Sequence, residues 1–256
     1  VIDGVLRDLR YAFAAERVDW PAVALDLLFT AMSYVFIYLY FAVVSSQSTL
    51  GRTIATSTLV LSELSIRLLS RPFIVSLDRF FRLARLGEVD AFVSKPTGLV
   101  RTMVLRWCRP LRLVLALVPL GAVLAISRGQ GPASRPDFGA AGSWLAAILC
   151  GATASVALFV LLNLPSLVVA REVPSDFLFE EISQLRLLPL PVYGANGAVA
   201  AALAVPSIAA AAIGTGTLGG DVGLSMLCLV AGTVISCAIS VGLMRRVWTA
   251  TDRLGG

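Results

Sequence analysis

Along this chain, apolar blocks of about twenty residues alternate with short polar stretches. A helix of that length crosses the hydrocarbon layer of a bilayer, which is about 30 Å thick. Six blocks fit: Pro21 to Val44, Thr53 to Leu77, Leu111 to Ile126, Trp144 to Ala170, Val192 to Ile213, and Val222 to Met244. Each predicts a transmembrane helix. Asn163 and Pro165 predict a kink in the fourth, and Pro206 a bend in the alanine-rich fifth. Ahead of the first block, residues 3 to 17 predict an amphipathic helix. Val5, Leu6, Leu9 and Phe13 share a face, and Arg7, Asp8, Arg10 and Glu16 lie mostly elsewhere. Such a helix suits the headgroup region or a soluble cap. The expected fold is therefore all-α: a single polytopic membrane domain over 1–256, with six transmembrane helices. It divides into an elbow at 1–20, spans at 21–77, a loop at 78–110, spans at 111–170, a loop at 171–190, and spans plus a basic tail at 191–256. No internal repeat is visible, so the inverted-repeat plan of many secondary transporters is not indicated.

Composition agrees with the pattern. Apolar residues make up 57% and charged residues 14%, against about a quarter charged in soluble domains. The net charge of +5 reports loop orientation here rather than nucleic-acid binding. Arg7, Arg10 and Arg17 precede the first span. Arg79, Arg82, Arg85, Lys95, Arg101, Arg106 and Arg109 lie between the second and third. Arg171 and Arg186 lie between the fourth and fifth, and Arg245, Arg246 and Arg253 follow the sixth. The alternate loops hold Arg52, Arg128 and Arg135. The positive-inside rule thus places both termini in the cytoplasm. The first apolar run follows a polar, charged segment, unlike a cleavable signal peptide. One lysine among many arginines, with much alanine, valine and leucine, suggests a GC-rich bacterial genome, hence the bacterial inner membrane.

Histidine is absent, which removes Ser-His-Asp and Cys-His catalysis and most zinc or haem sites. Cys108, Cys150, Cys228 and Cys237 are isolated in or beside apolar segments, without metal spacing. No P-loop exists: the motif needs lysine between glycine and serine or threonine, and the sole lysine, Lys95, stands between Ser94 and Pro96. No catalytic residue, metal site or bound cofactor is expected. If ATP drives this protein, another polypeptide hydrolyses it.

The segment from Ser76 to Gly98 is the most informative. It opens as a basic helix, Leu77 to Leu86, with Arg79, Arg82 and Arg85 at three-residue spacing. Gly87 is expected to stop it, since glycine tolerates the left-handed cap conformation. Glu88-Val89-Asp90, the apolar Ala91-Phe92-Val93, and Ser94-Lys95-Pro96 follow. Here the chain resembles the permease subunits of bacterial ATP-binding-cassette (ABC) transporters, in the type-2 exporter family. An arginine-flanked helix, Gly87, Val89, Asp90, and then Lys95 and Pro96 match that family's pattern in order. The elbow, the six spans, the Pro-rich approach from Leu188 to Pro191 and the basic tail are compatible. Trp248 departs from the usual aromatic-plus-small ending.

The resemblance implies a coupling helix between spans 2 and 3 that docks on a separate ABC-type ATPase subunit, which holds ATP and Mg. Arg82, Arg85, Gly87, Glu88, Val89, Asp90, Lys95 and Pro96 would carry it. It also implies a second permease subunit, identical or related, export of an amphipathic or hydrophobic substrate, and a fifth span near the dimer axis. Membrane lipids are the remaining expected partner. The competing reading of the segment is a positive-inside loop that binds anionic lipid.

Glu63, Arg67 and Arg71 fall within the second span. A charge there usually faces protein or water. Glu63 and Arg67 are four apart and can pair, and Arg71 continues the stripe and can snorkel. The stripe either lines a cavity or fixes helix packing. Asp26 is expected at the interface. Two other classes stay open: an ion-coupled secondary transporter or channel without an ATPase, and a membrane enzyme or assembly subunit. Scarce buried carboxylates disfavour the first, and the lack of a clustered nucleophile and base disfavours the second.

Overall fold

The computed structural model describes residues 10, 12–14, 20–22, 24–25, 28–29, 31–32, 35–36, 39, 56–88, 99–110, 113, 138–169, 174–185, 194–214 and 222–254. Among them the secondary structure is helical, with no strand. The helices are α1 (Thr56–Arg85), α2 (Leu99–Leu105), α3 (Phe138–Val169), α4 (Ser175–Gln184), α5 (Gly194–Ala204), α6 (Pro206–Gly214) and α7 (Val222–Leu254). Described positions of the predicted elbow and first span are also helical. Apart from Leu113, the predicted third span lies outside the described residues.

Helix α3 is the hub, packing against α1, α6 and α7. Two clusters fill the interior. One gathers Ile66, Ile148, Ala209, Ala210, Ala211 and Leu229. The other gathers Leu77, Phe80, Phe81, Phe159, Leu164, Phe179 and Met244. Small residues set how close the helices come. A Cβ placed on Gly151 would stand 2.6 Å from Ala210 Cβ and 2.9 Å from Ile66 Cδ1. One on Gly232 would collide with the backbone carbonyls of Ala202 and Leu203. Pro206 has no N–H, so Ala202 lacks its helical donor four residues on. The bare Cα of Gly232 lets α7 close against that carbonyl.

The polarity of the helices is inverted relative to a soluble protein. On α7 the exposed side carries Leu224, Leu227, Val230, Val234, Ile235, Ile239 and Leu243, while Ser225, Thr233 and Ser240 are buried. On α3 Leu145, Leu149 and Val168 are exposed, and Ser155, Asn163 and Ser166 are buried. Several of the buried hydroxyls are satisfied locally. Ser155 donates to the carbonyl of Gly151 and Thr233 to that of Leu229, a common solution in apolar helices. Ser240 also donates to the Ala157 carbonyl at 3.0 Å, tying α7 to α3. Trp144 Nε1 donates to Ser62 Oγ at 2.9 Å between α3 and α1. Among the described residues, two helical stretches, Gly142–Val168 and Gly223–Thr249, are long and apolar enough to cross a membrane.

Three boundaries differ from the sequence expectation. The second predicted span and the basic segment after it form one continuous helix, α1, of 30 residues. Leu77, Phe80 and Phe81 are fully buried in the core, so the first turns of that segment are held by packing. The fifth predicted span is two helices, α5 and α6, interrupted at Val205 where Pro206 breaks the hydrogen-bond ladder. The sixth continues to Leu254, because nothing after Met244 stops it and arginine favours helix.

Candidate functional site: a charged and aromatic cavity beside α1

Four-residue spacing puts Glu63, Arg67 and Arg71 along one side of α1. Glu63 is 2% exposed. The guanidinium of Arg67 is engaged by a carboxylate from another helix. Its Nη2 donates to Glu180 Oε2 at 2.8 Å and to Oε1 at 3.0 Å. Arg71 Nη1 donates to the same Oε1 at 3.2 Å. All three side chains are about one-third exposed, so water screens the cluster in part.

Glu180 reaches α1 because α4 is amphipathic. Phe179 turns into the core and Phe177 outward. Asn163 fixes α4 against α3: Ser175 Oγ donates to Asn163 Oδ1 at 2.8 Å, and Asn163 Nδ2 donates to the Phe159 carbonyl at 3.0 Å. The Phe159 and Phe179 rings meet edge to face at 5.4 Å, a favoured aromatic geometry.

A cavity of about 320 Å³ opens beside this cluster, lined by Arg71, Ile74, Val75, Asp78, Phe159, Phe179 and Glu180. It offers both signs of charge together with aliphatic and aromatic surface. Asp78 Oδ2 accepts from Arg82 Nη2 at 3.3 Å one turn along α1. That combination suits a molecule with a polar head and an apolar body.

Arg82, Arg85, Gly87 and Glu88 gather at the C-terminal end of α1. Gly87 has φ of +71°, the left-handed conformation expected of it. Its N–H donates to the Ala84 carbonyl at 3.2 Å, and the Glu88 N–H donates to the Leu83 carbonyl at 3.0 Å. That pair of bonds is a Schellman cap. Arg82, Leu86, Gly87 and Glu88 are exposed, and Arg85 is half-buried. Val89, Asp90, Lys95 and Pro96 lie outside the described residues.

Glu180 is the site residue that the sequence did not point to. The available signal was a surplus of cations along residues 63–71 of α1, two arginines against one glutamate, which calls for a carboxylate from elsewhere. No family model, curated protein or solved structure matches the chain.

Proposed function

We propose that this chain is a six-span membrane protein with cytoplasmic termini, and the permease subunit of an ATP-driven transporter of the ABC class. It exports an amphipathic molecule, while a separate subunit hydrolyses ATP. The observation that carries the reading is the cavity. Its charged wall of Arg71, Asp78 and Glu180 can take a polar head, and Ile74, Val75, Phe159 and Phe179 can take an apolar body. The inverted polarity of α3 and α7 supports a lipid surround. Pro72 and Pro165 inside helices also fit, since membrane helices tolerate interior proline. For the ATPase partner the support is the family-like pattern through Gly87, Val89, Asp90, Lys95 and Pro96, together with the exposed, sharply capped end of α1.

Topology is the first test. Single cysteines placed at Gly139 and Gly219 should react with an impermeant thiol reagent on intact cells, and those at Gly98 and Gly256 should not. Reaction at position 98 would overturn the six-span arrangement.

The coupling role is tested by purifying the complex through this chain. An ABC-type ATPase should accompany it, and ATP hydrolysis should drive transport in proteoliposomes. Gly87→Trp should fold, since nothing stands within 4 Å of a Cβ there, with backbone strain of about 1–2 kcal/mol. Transport should nevertheless fall roughly tenfold or more while hydrolysis persists, a barrier change of about 1.4 kcal/mol. Undiminished transport in both Gly87→Trp and Asp90→Arg would remove the loop from coupling. Transport driven by an ion gradient without any ATPase would transfer the protein to the secondary-transporter class.

A further inference from the structure

The three charged groups on the wall of the cavity beside α1 are not equally available to a ligand. Glu180 is covered on both oxygens: Oε2 accepts from Arg67, and Oε1 accepts from Arg67 and Arg71. Arg71 gives that carboxylate one hydrogen bond, at 3.2 Å, and a guanidinium has five N–H donors. Among the described residues Asp78 is engaged through Oδ2, by the exposed Arg82 at 3.3 Å, and Arg82 does not line the cavity. The wall therefore offers one cation, Arg71, and one anion, Asp78. They stand seven residues apart on α1, so they share a face and are offset by about 10.5 Å along the axis. Ile74 and Val75 lie between them on the same wall, and Phe159 of α3 and Phe179 of α4 complete the apolar lining.

We propose that the cavity selects a zwitterionic, single-chain amphiphile, with its anionic group at Arg71 and its cationic group at Asp78. The proposal rests on the reading of the cavity as a substrate site, but not on the ATPase. A head of one sign is opposed from the same wall. An anion at Arg71 also meets Asp78, and a cation at Asp78 also meets Arg71, which together with Arg67 outnumbers their shared carboxylate. Like charges brought together in a partly closed site discriminate against the wrong ligand. A zwitterion laid along α1 meets each wall charge with the opposite sign. Its anionic end accepts from the guanidinium and its cationic end lies against the carboxylate, and charge-assisted contacts of this kind are the strong ones. The aliphatic step at Ile74 and Val75 and the two phenylalanine rings suit the chain. At about 320 Å³ the cavity is at the small end of ligand pockets, which run from about 300 to 1,000 Å³, so it takes one head and part of one chain.

The test uses the intact protein in a non-ionic maltoside detergent, titrated with three twelve-carbon, single-chain probes and read by native mass spectrometry. The probes are lysophosphatidylcholine (zwitterionic), lysophosphatidylglycerol (anionic) and dodecyltrimethylammonium (cationic). Wild type should bind one lysophosphatidylcholine saturably, about tenfold or more tighter than either singly charged probe. Arg71→Gln and Asp78→Asn should each weaken lysophosphatidylcholine about tenfold, the scale of one charge-assisted contact. Their effects on the other probes should be opposite. Arg71→Gln should hold or improve dodecyltrimethylammonium and weaken lysophosphatidylglycerol, whereas Asp78→Asn should do the reverse. A variant that merely misfolds would lose all three alike, so this reciprocal pattern separates recognition from folding. Parallel loss of all three probes in both variants would overturn the assignment of the two residues. Saturable binding of the three probes with equal affinity in wild type would overturn the zwitterionic preference and leave the cavity as an amphiphile site. Absence of saturable binding for every probe would remove the substrate site itself. Failure of ATP-driven transport leaves the binding result unaffected.

Discussion

Gly232→Ala is expected to destabilise the protein by about 1–3 kcal/mol, the usual cost of overpacking a closed interface. The obstacle is the backbone of Ala202 and Leu203, which cannot rotate aside, so α7 and α5 must separate. Gly151→Ala should cost less, because one of its two nearest obstacles is the mobile end of Ile66, although Ala210 Cβ cannot yield. Gly242→Ala meets nothing within 4 Å and should be neutral or gain up to about 1 kcal/mol from helix propensity. Thermal unfolding of the three variants in detergent checks the order. A Gly232→Ala protein as stable as Gly242→Ala would mean that the two helices do not approach as described.

The second large effect is expected at Glu180. Glu180→Gln leaves the guanidinium groups of Arg67 and Arg71 beside each other without their shared carboxylate. Breaking a fully buried pair costs about 3–5 kcal/mol. Here the side chains are one-third exposed, so about 1–3 kcal/mol is expected. Arg67→Gln alone should also destabilise. The double variant should cost less than the sum, with a coupling of about 1–2 kcal/mol. Small additive effects would show that the two residues do not meet. If stability is kept but transport of an amphiphile is lost in Glu180→Gln and Arg71→Gln, the cluster acts on substrate rather than on packing.

The sequence revealed long helices well and helix partners poorly. Apolar runs located α1, α3 and α7, because length and hydropathy are local properties. The C-terminal ends of α1 and α7 extend further than a bilayer-length window suggests. Leu77, Phe80 and Phe81 keep a buried face going beyond the apolar block, and Met244 does the same for α7. The left-handed stop at Gly87 was readable from one residue. The break at Val205 was readable only as a bend, since proline does not say whether a helix resumes in line. Glu180 was missed because its partners lie 113 and 109 positions away, and no spacing rule links residues on separate helices. Helix α4 lies inside 171–190, which reads as a loop in the sequence. Its Phe179, three-dimensionally beside Phe159, only gains meaning once α3 is in place.

The central position of α3 has a consequence for synthesis. Its partner α1 is made before it, but α6 begins at Pro206 and α7 ends at Leu254. At about 5–20 residues per second, part of its buried face waits roughly 2–17 seconds for those neighbours. During that time Ser155, Asn163 and Ser166 lack those neighbours. Each is already satisfied within its own helix: Ser155 by the Gly151 carbonyl, Asn163 by that of Phe159, and Ser166 by that of Asn163. Helix α3 therefore carries no hydroxyl or amide donor at these positions that must await a later helix. It can stand as a complete helix until α6 and α7 arrive.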